Sequence, residues 1–432
     1  MLQIKKKGME NIKMKIILSF FCCWIFGVGL IPAAYPAQKL KIVEQRGKGR
    51  VRLVKYDNGG WQILVDNNPY FIKGLCTDPI KVGERLTASN MWMNYDYNHN
   101  GINDVAYESW VDKNGNNIQD KDEPAVGDFQ LMKEMGANTL RIYHPDNINK
   151  ELLRDLYKKY GIMVMMGNFL GAYTRGSGAS WEEGTDYTNS KHLESMLEDV
   201  RKMVVEFKDE PYILMWLLGN ENDAVGSKEN STFNNTNARQ RPGEFARFVN
   251  KVAEMIHQLD KNHPVGVSNA LEAMLPYYKK YTPAIDFLGF NSYTGPYGFG
   301  ALFRKPKFFG FDRAVVITEY GGDSWDSRKQ KEDEDFQAFY HKGAWRDMAK
   351  NSAASGGCSV GGFVYNWLDG WWFCGKLDEH DTVIGAWQGP MNDAWVNDEW
   401  LGVCSQGDGK NSPFLRRLKK AYYFYKEEWN KN

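Results

Sequence analysis

The chain has 432 residues, and its 54 Lys and Arg balance its 54 Asp and Glu, for a formal net charge of +0. That balance points away from nucleic acid and anionic membrane surfaces and toward an uncharged partner. The length is enough for one large α/β barrel with elaborated loops, or for two ordinary domains.

Lys13 and Lys15 precede an apolar run from Ile16 to Leu30 and then the small-residue stretch Ala33-Ala34-Tyr35-Pro36-Ala37. This is the layout of a secretory signal over residues 1–37, with Met14 as an alternative start. It implies a secreted or periplasmic protein with no membrane attachment once the signal is cleaved. Cys22 and Cys23 would leave with it, and Cys76, Cys358, Cys374 and Cys404 remain. Export permits disulfides, and Cys374 with Cys404 is the expected pair, since both follow the last strand.

Residues 38–66 read as a β-hairpin, Arg50 to Val54 and Trp61 to Val65, about a turn at Asn58-Gly59-Gly60. It would cap the bottom of a barrel occupying residues 67–432. Tyr70 to Cys76 is the first barrel strand, followed by a long polar insertion at 92–127. Asp128 is placed to cap a short helix from Phe129 to Met135 that stops at Gly136. Strands then recur at Thr139–His144, Ile162–Met166, Ile213–Leu218, Val265–Ser268, Phe287–Tyr293, Ala314–Tyr320 and Gly361–Trp367. Between them run helical apolar stripes, most clearly Leu193, Met196, Leu197, Val200, Met203, Val204 and Phe207. Eight alternations of strand and helix predict an α/β fold, a single (β/α)8 TIM barrel.

Two of these strands end alike. Ile213 to Leu218 runs into Gly219, Asn220 and Glu221, and Ala314 to Ile317 runs into Thr318, Glu319 and Tyr320. Each pattern is that of a strand buried on both faces delivering a carboxylate to the barrel mouth. Two carboxylates across one mouth suit glycosidic bond cleavage, and the retaining version needs them roughly 5 to 5.5 Å apart. A cation beside one carboxylate keeps it ionised, while burial and the neighbouring charge raise the other. Arg141, at the end of the second strand, is placed to be that cation.

Trp216-Leu-Leu-Gly-Asn-Glu221 resembles the acid/base motif of clan A retaining glycosidases, and Val316-Ile-Thr-Glu-Tyr-Gly321 resembles their nucleophile motif. The likeness is greatest to the barrel domain of glycoside hydrolase family 2. At Phe71-Ile-Lys-Gly-Leu75 there is also some likeness to the β-1,3-glucanosyltransferases of family 72. The resemblance implies Glu221 as acid/base, Glu319 as nucleophile, Asn220 as the contact to the sugar 2-hydroxyl and Tyr293 as donor to the nucleophile. It further implies Trp367 as the floor of the sugar subsite, and Arg141 and His144 as an Arg-x-x-His pair. The β-sandwich domains that family 2 enzymes carry ahead of the barrel have no room here, so the resemblance leaves substrate specificity open.

Loop tryptophans lack a core to fill, which makes Trp92, Trp181 and Trp325 candidates for the sugar cleft, while Trp371 and Trp372 could line it or cover the barrel. Gly357-Cys-Ser-Val-Gly361 has nucleophile-elbow spacing but introduces a strand instead of following one. Asn230 and Asn234 begin sequons that serve as glycosylation acceptors only in a eukaryotic secretory path. In the insertion, Asp112, Asn114, Asn116, Asp120 and Glu123 stand at calcium-loop positions one, three, five, nine and twelve, with the Ile118 carbonyl at seven. Upstream, Asp96 to Asp104 offers half of the same pattern, without a carboxylate at position twelve. The expected ion is structural Ca2+, since the cleavage itself needs no cofactor.

The reading is thus a retaining glycoside hydrolase acting on a neutral β-linked oligo- or polysaccharide. Its alternatives are a β-glucan transglycosylase and a catalytically silent carbohydrate-binding barrel.

Overall fold

A computed structural model describes residues 40–85, 87, 91–224, 234–383, 385 and 387–431. The signal-like segment, Cys22, Cys23 and Asn230 lie outside the described residues.

Eight parallel strands form a closed barrel: Ile72–Cys76, Thr139–Ile142, Met163–Asn168, Ile213–Leu218, Val265–Asn269, Phe287–Asn291, Ala314–Tyr320 and Ser359–Val364. The eighth pairs with the first, Gly361 beside Ile72 and Val364 beside Leu75. These strands are apolar on both faces because each is covered twice. Helices pack outside, and side chains such as Met163, Met165, Leu214, Phe287, Val316 and Phe363 fill the inside. The helix Ser190–Phe207 turns Met196, Val200, Met203, Val204 and Phe207 inward, as its stripe predicts.

The N-terminal hairpin is the centre of a larger element. Ile42–Arg46, Val51–Tyr56, Trp61–Val65 and Asn68–Tyr70 form a four-stranded antiparallel sheet. Val51, Leu53, Trp61 and Ile63 join the apolar cluster of the barrel interior, so the sheet closes one end of the barrel.

Three expectations are corrected here. The eighth strand ends at Val364, so Trp367 lies beyond it. Cys374 and Cys404 are not paired, and all four cysteines among the described residues are free. Cys404 is buried in a short strand paired with Leu415–Leu418, whereas Cys374 lies in a loop whose N–H donates to Glu399. Asp128 does not cap its helix. Gly127 stands at that position with φ 84°, and Asp128 is the first helical residue.

The Asp128 carboxylate is instead the centre of a buried network. It accepts from Arg416 Nε at 2.7 Å and Nη2 at 3.0 Å, from Ser109 Oγ at 2.7 Å and from Trp367 Nε1 at 2.7 Å. These bonds tie the end of the insertion, the segment after the eighth strand and the C-terminal strand into one unit. Breaking one partner of such a pair leaves a buried charge uncompensated. Asp128→Ala is therefore expected to destabilise the protein by about 3–5 kcal/mol, measured by denaturant unfolding. Arg416→Met in the same background should recover part of that loss.

Candidate active site

Because the strands are parallel, their C-terminal ends share one rim. Past Leu218 the chain turns sharply, with Gly219 at φ 75° and Glu221 at φ 54°. A glutamate held in the left-handed region is strained and persists only where its surroundings over-determine it. Asn222 Oδ1 accepts from Asn220 N–H at 2.9 Å, while its Nδ2 donates to the Phe169 and Leu170 carbonyls and to the Tyr187 hydroxyl. Asn234 Nδ2 donates to the carbonyls of Asn220 and Glu221 at 2.7 and 3.1 Å. Asn234 is fully buried in this role, which corrects its reading as a glycosylation acceptor.

The seventh strand aims its glutamate by an irregularity. Phe290 pairs with Ile317, but Asn291 pairs with Glu319, so one residue is extra. Ala314 and Val316 face the barrel interior, whereas Val315, Ile317 and Tyr320 belong to the outer core. Strict alternation would send Glu319 outward with Ile317. The bulge resets the alternation and turns Glu319 into the mouth.

Arg141 joins the two strand ends. Its Nη1 donates to Glu319 Oε1 at 2.8 Å and to the Thr318 carbonyl at 2.9 Å, and its Nη2 donates to Asn220 Oδ1 at 2.8 Å. Glu319 also accepts from Tyr143 at 2.7 Å and from Tyr293 at 3.1 Å. Glu221 has a different environment. Its Oε1 accepts from Asn291 Nδ2 at 2.9 Å, and no ion pair to it occurs among the described residues. Burial, and then the Glu319 charge, push Glu221 up to about 8 against the pull of that hydrogen bond. One carboxylate is thus paired with a cation while its neighbour favours the protonated form, the arrangement general acid chemistry requires.

Both glutamates line a cleft of about 950 Å³. His144 lies on its wall, with Nδ1 3.1 Å from Asp146 and Nε2 3.5 Å from Asp199. Trp372, Phe373 and Trp387 line it as well. Trp367 does not, since its indole is fully buried on Asp128, and the strand-end aromatic in the cleft is Tyr365 instead. Trp92 is buried against Phe129. Trp325 stacks on Trp400, and Trp181 is exposed outside the cleft.

Sequence reasoning missed Tyr143, Asn291, Asp78 and Asp398. Asn291 was legible as a polar residue ending the sixth strand, but its partners lie on other strands. Asp78 and Asp398 face the cleft, and burial raises them to about 7 and about 6. In the insertion, Asp112 accepts from the N–H groups of Gly115, Asn116 and Asn117, and Asn114 and Asn116 donate to Asp120. Glu123 accepts from Lys113 and Asp120 N–H, and Ile118 is exposed. Among the described residues no group of three His, Cys, Asp or Glu is drawn together closely enough to hold a metal as it stands.

The family model of the glycosyl hydrolases family 2 TIM barrel domain matches residues 85–345. The chain belongs to glycosyl hydrolase family 2. A β-glucuronidase of Bacteroides fragilis is 25% identical over 328 residues, covering 70% of this chain and 38% of its own length. Among solved structures, a β-D-glucuronidase of Dictyoglomus thermophilum has a TM-score of 0.52 at 19% identity and covers 90% of this chain and 53% of its own. A galacturonate-bound β-galacturonidase of Eisenbergiella tayi, at 16% identity and TM-score 0.50, covers 90% and 54%. At these identities the structural likeness concerns the fold. The family 2 chain described here spans about half the length of those two solved proteins, and less of the curated relative.

The electrostatic difference between the two glutamates has a direct check that does not depend on turnover. Glu319→Gln removes the neighbouring negative charge, so Glu221 should titrate lower than in the wild type. Infrared or 13C-carboxyl titration of both proteins would measure the difference.

Proposed function

We propose that the protein is a retaining glycosidase that cleaves neutral β-linked glycosides by double displacement. The observation that carries the reading is the shared cleft holding a cation-paired Glu319 and a raised Glu221. In the first step Glu319 attacks the anomeric carbon, while protonated Glu221 gives its proton to the leaving oxygen. In the second, Glu221 takes a proton from water, which displaces Glu319 from the sugar. Tyr143, Tyr293 and Arg141 hold the nucleophile in place throughout, and Asn220 is set beside it to meet the ring 2-hydroxyl.

The charge of the cleft supports a neutral sugar. Asp78, Asp146, Glu221, Glu272, Glu319 and Asp398 line it, against His144 and Arg175. Arg175 is paired with Asp146, and His144 sits between Asp146 and Asp199. The relatives named above act on uronides by their descriptions. Among the described residues, however, this cleft has no cation left over for a sugar carboxylate. A like-charge contact near 4 Å costs about 1–4 kcal/mol, on the order of tenfold or more in kcat/KM.

Aryl β-glucoside and β-galactoside should therefore be cleaved at least about tenfold better than aryl β-glucuronide. NMR of the first-formed sugar should show the β anomer, and longer oligosaccharides from a defined donor would mark transfer instead. Glu319→Gln should lower kcat on the order of a thousandfold or more. Activity requires protonated Glu221, so kcat/KM should fall as pH rises through about 8. Preference for the uronide would overturn the neutral assignment, and full activity of Glu319→Gln would overturn the mechanism.

A further inference from the structure

The insertion after the first strand contains two loops of the same backbone design. Residues at loop positions four and six are left-handed in both: His99 at φ 55° and Gly101 at 82°, then Gly115 at 76° and Asn117 at 61°. In both, the first aspartate accepts from the N–H groups of residues five and six: Asp96 from Asn100 and Gly101, and Asp112 from Asn116 and Asn117. The downstream loop carries its own positive charge, since Arg417 Nε lies 3.1 Å from Asp112 and its Nη2 donates to the Gly115 carbonyl and to Asn117.

Among the described residues no cation is paired with the carboxylates of the upstream loop. Among the described residues the partners of Asp96, Asp104 and Glu108 are backbone and amide N–H groups. Asp104 is completely buried, and its Oδ1 has no hydrogen-bond partner while Oδ2 accepts from Tyr97 N–H at 2.9 Å. A buried carboxylate oxygen left without a hydrogen-bond donor calls for a cation or a donor to satisfy it.

The missing twelfth-position carboxylate is also supplied, by geometry invisible in the spacing. Asp104 to Glu108 forms a single π-helical turn, which takes one residue more than an α-helical turn. Tyr107, at position twelve, is turned away and donates to Asp155. Glu108, at thirteen, faces the loop, accepting from Asn98 at Oε2 (3.2 Å) and from Asn100 at Oε1 (2.8 Å).

We propose that residues 96–108 bind a calcium ion through Asp96, Asn98, Asn100, the Ile102 carbonyl, Asp104 and Glu108. Binding requires the Asn98 and Asn100 amides to turn their oxygens toward the ion, which frees both Glu108 oxygens to ligate it. An all-oxygen set with backbone carbonyl, amides and a bidentate carboxylate suits Ca2+ better than Mg2+, which demands a rigid octahedron and keeps its waters. The ion would hold one wall of the cleft, because Tyr95 and Tyr97 fasten this loop to Glu84 and Met91 lines the cleft itself.

The test uses the full chain stripped with a chelator. Its readouts are the melting temperature on adding Ca2+ and the Tb3+ emission sensitised by Tyr97 and Tyr107, competed by Ca2+. The wild type should gain both signals. Glu108→Gln and Asp104→Asn should weaken binding at least about tenfold, whereas Asp112→Asn should leave it unchanged. Glu108 is only half-buried, so its variant serves even if Asp104→Asn fails to fold. The proposal is overturned if the stripped wild type shows no response. It is equally overturned if the response survives Glu108→Gln and disappears in Asp112→Asn, which would place the ion in the downstream loop.

Discussion

One buried guanidinium organises the mouth of this barrel. Arg141 comes from the second strand, pairs with Glu319 on the seventh and donates to Asn220 beyond the fourth. It is 1% exposed, and a cation so placed is tolerated only with a close counter-charge and hydrogen-bond partners, which its two terminal nitrogens have although Nε has none. Those demands draw three strand ends into one arrangement. They also decide how the two glutamates differ, because the cation is taken up by Glu319 and leaves Glu221 to the effects of burial and a neighbouring charge. Asn291 links the two halves, donating to Asn220 and Glu221 while its own oxygen accepts from Thr318 Oγ1.

Around this rigid base the cleft is made by loops. Trp372, Phe373, Trp387 and Asp398 all come from the segment after the eighth strand. That segment is held by a stack in which His380 lies between Trp371 and Trp400, with centroid distances of 4.1 and 3.8 Å. Beneath it, Lys419 pairs with Asp369 at 2.7 Å in a fully buried contact. Beside it, because the first strand pairs with the eighth, the segment after the first strand brings Met91 to the cleft, just ahead of the proposed calcium loop. The barrel supplies the two carboxylates, and these loops shape the approach to them.

Much of the fold was legible because its cause is local. A strand covered on both faces must be apolar throughout, and a helix covered on one side must repeat its apolar residues every three or four positions. The strand ends at Glu221 and Glu319 were readable for the same reason, since a polar pair directly after six or four apolar residues marks where a buried strand reaches the barrel mouth. Trp367 was misread because sequence places it at a strand end without showing which way the chain turns there. Its ring went to Asp128, a partner 239 residues distant. The Cys374–Cys404 pairing failed likewise, since proximity in sequence after the last strand does not bring two sulfur atoms face to face.

From the sequence alone came the strand and helix count, the barrel, the two glutamates and the arginine beside them, because periodicity and strand-end chemistry are properties of short segments. Only the folded chain decided that a bulge turns Glu319 inward, that Tyr143 and Asn291 share its site, and that a π-turn carries Glu108 into the proposed calcium loop. These depend on register and on one-residue changes in backbone path. Shifts of that size leave composition and spacing almost untouched, yet they reverse the direction in which a side chain points.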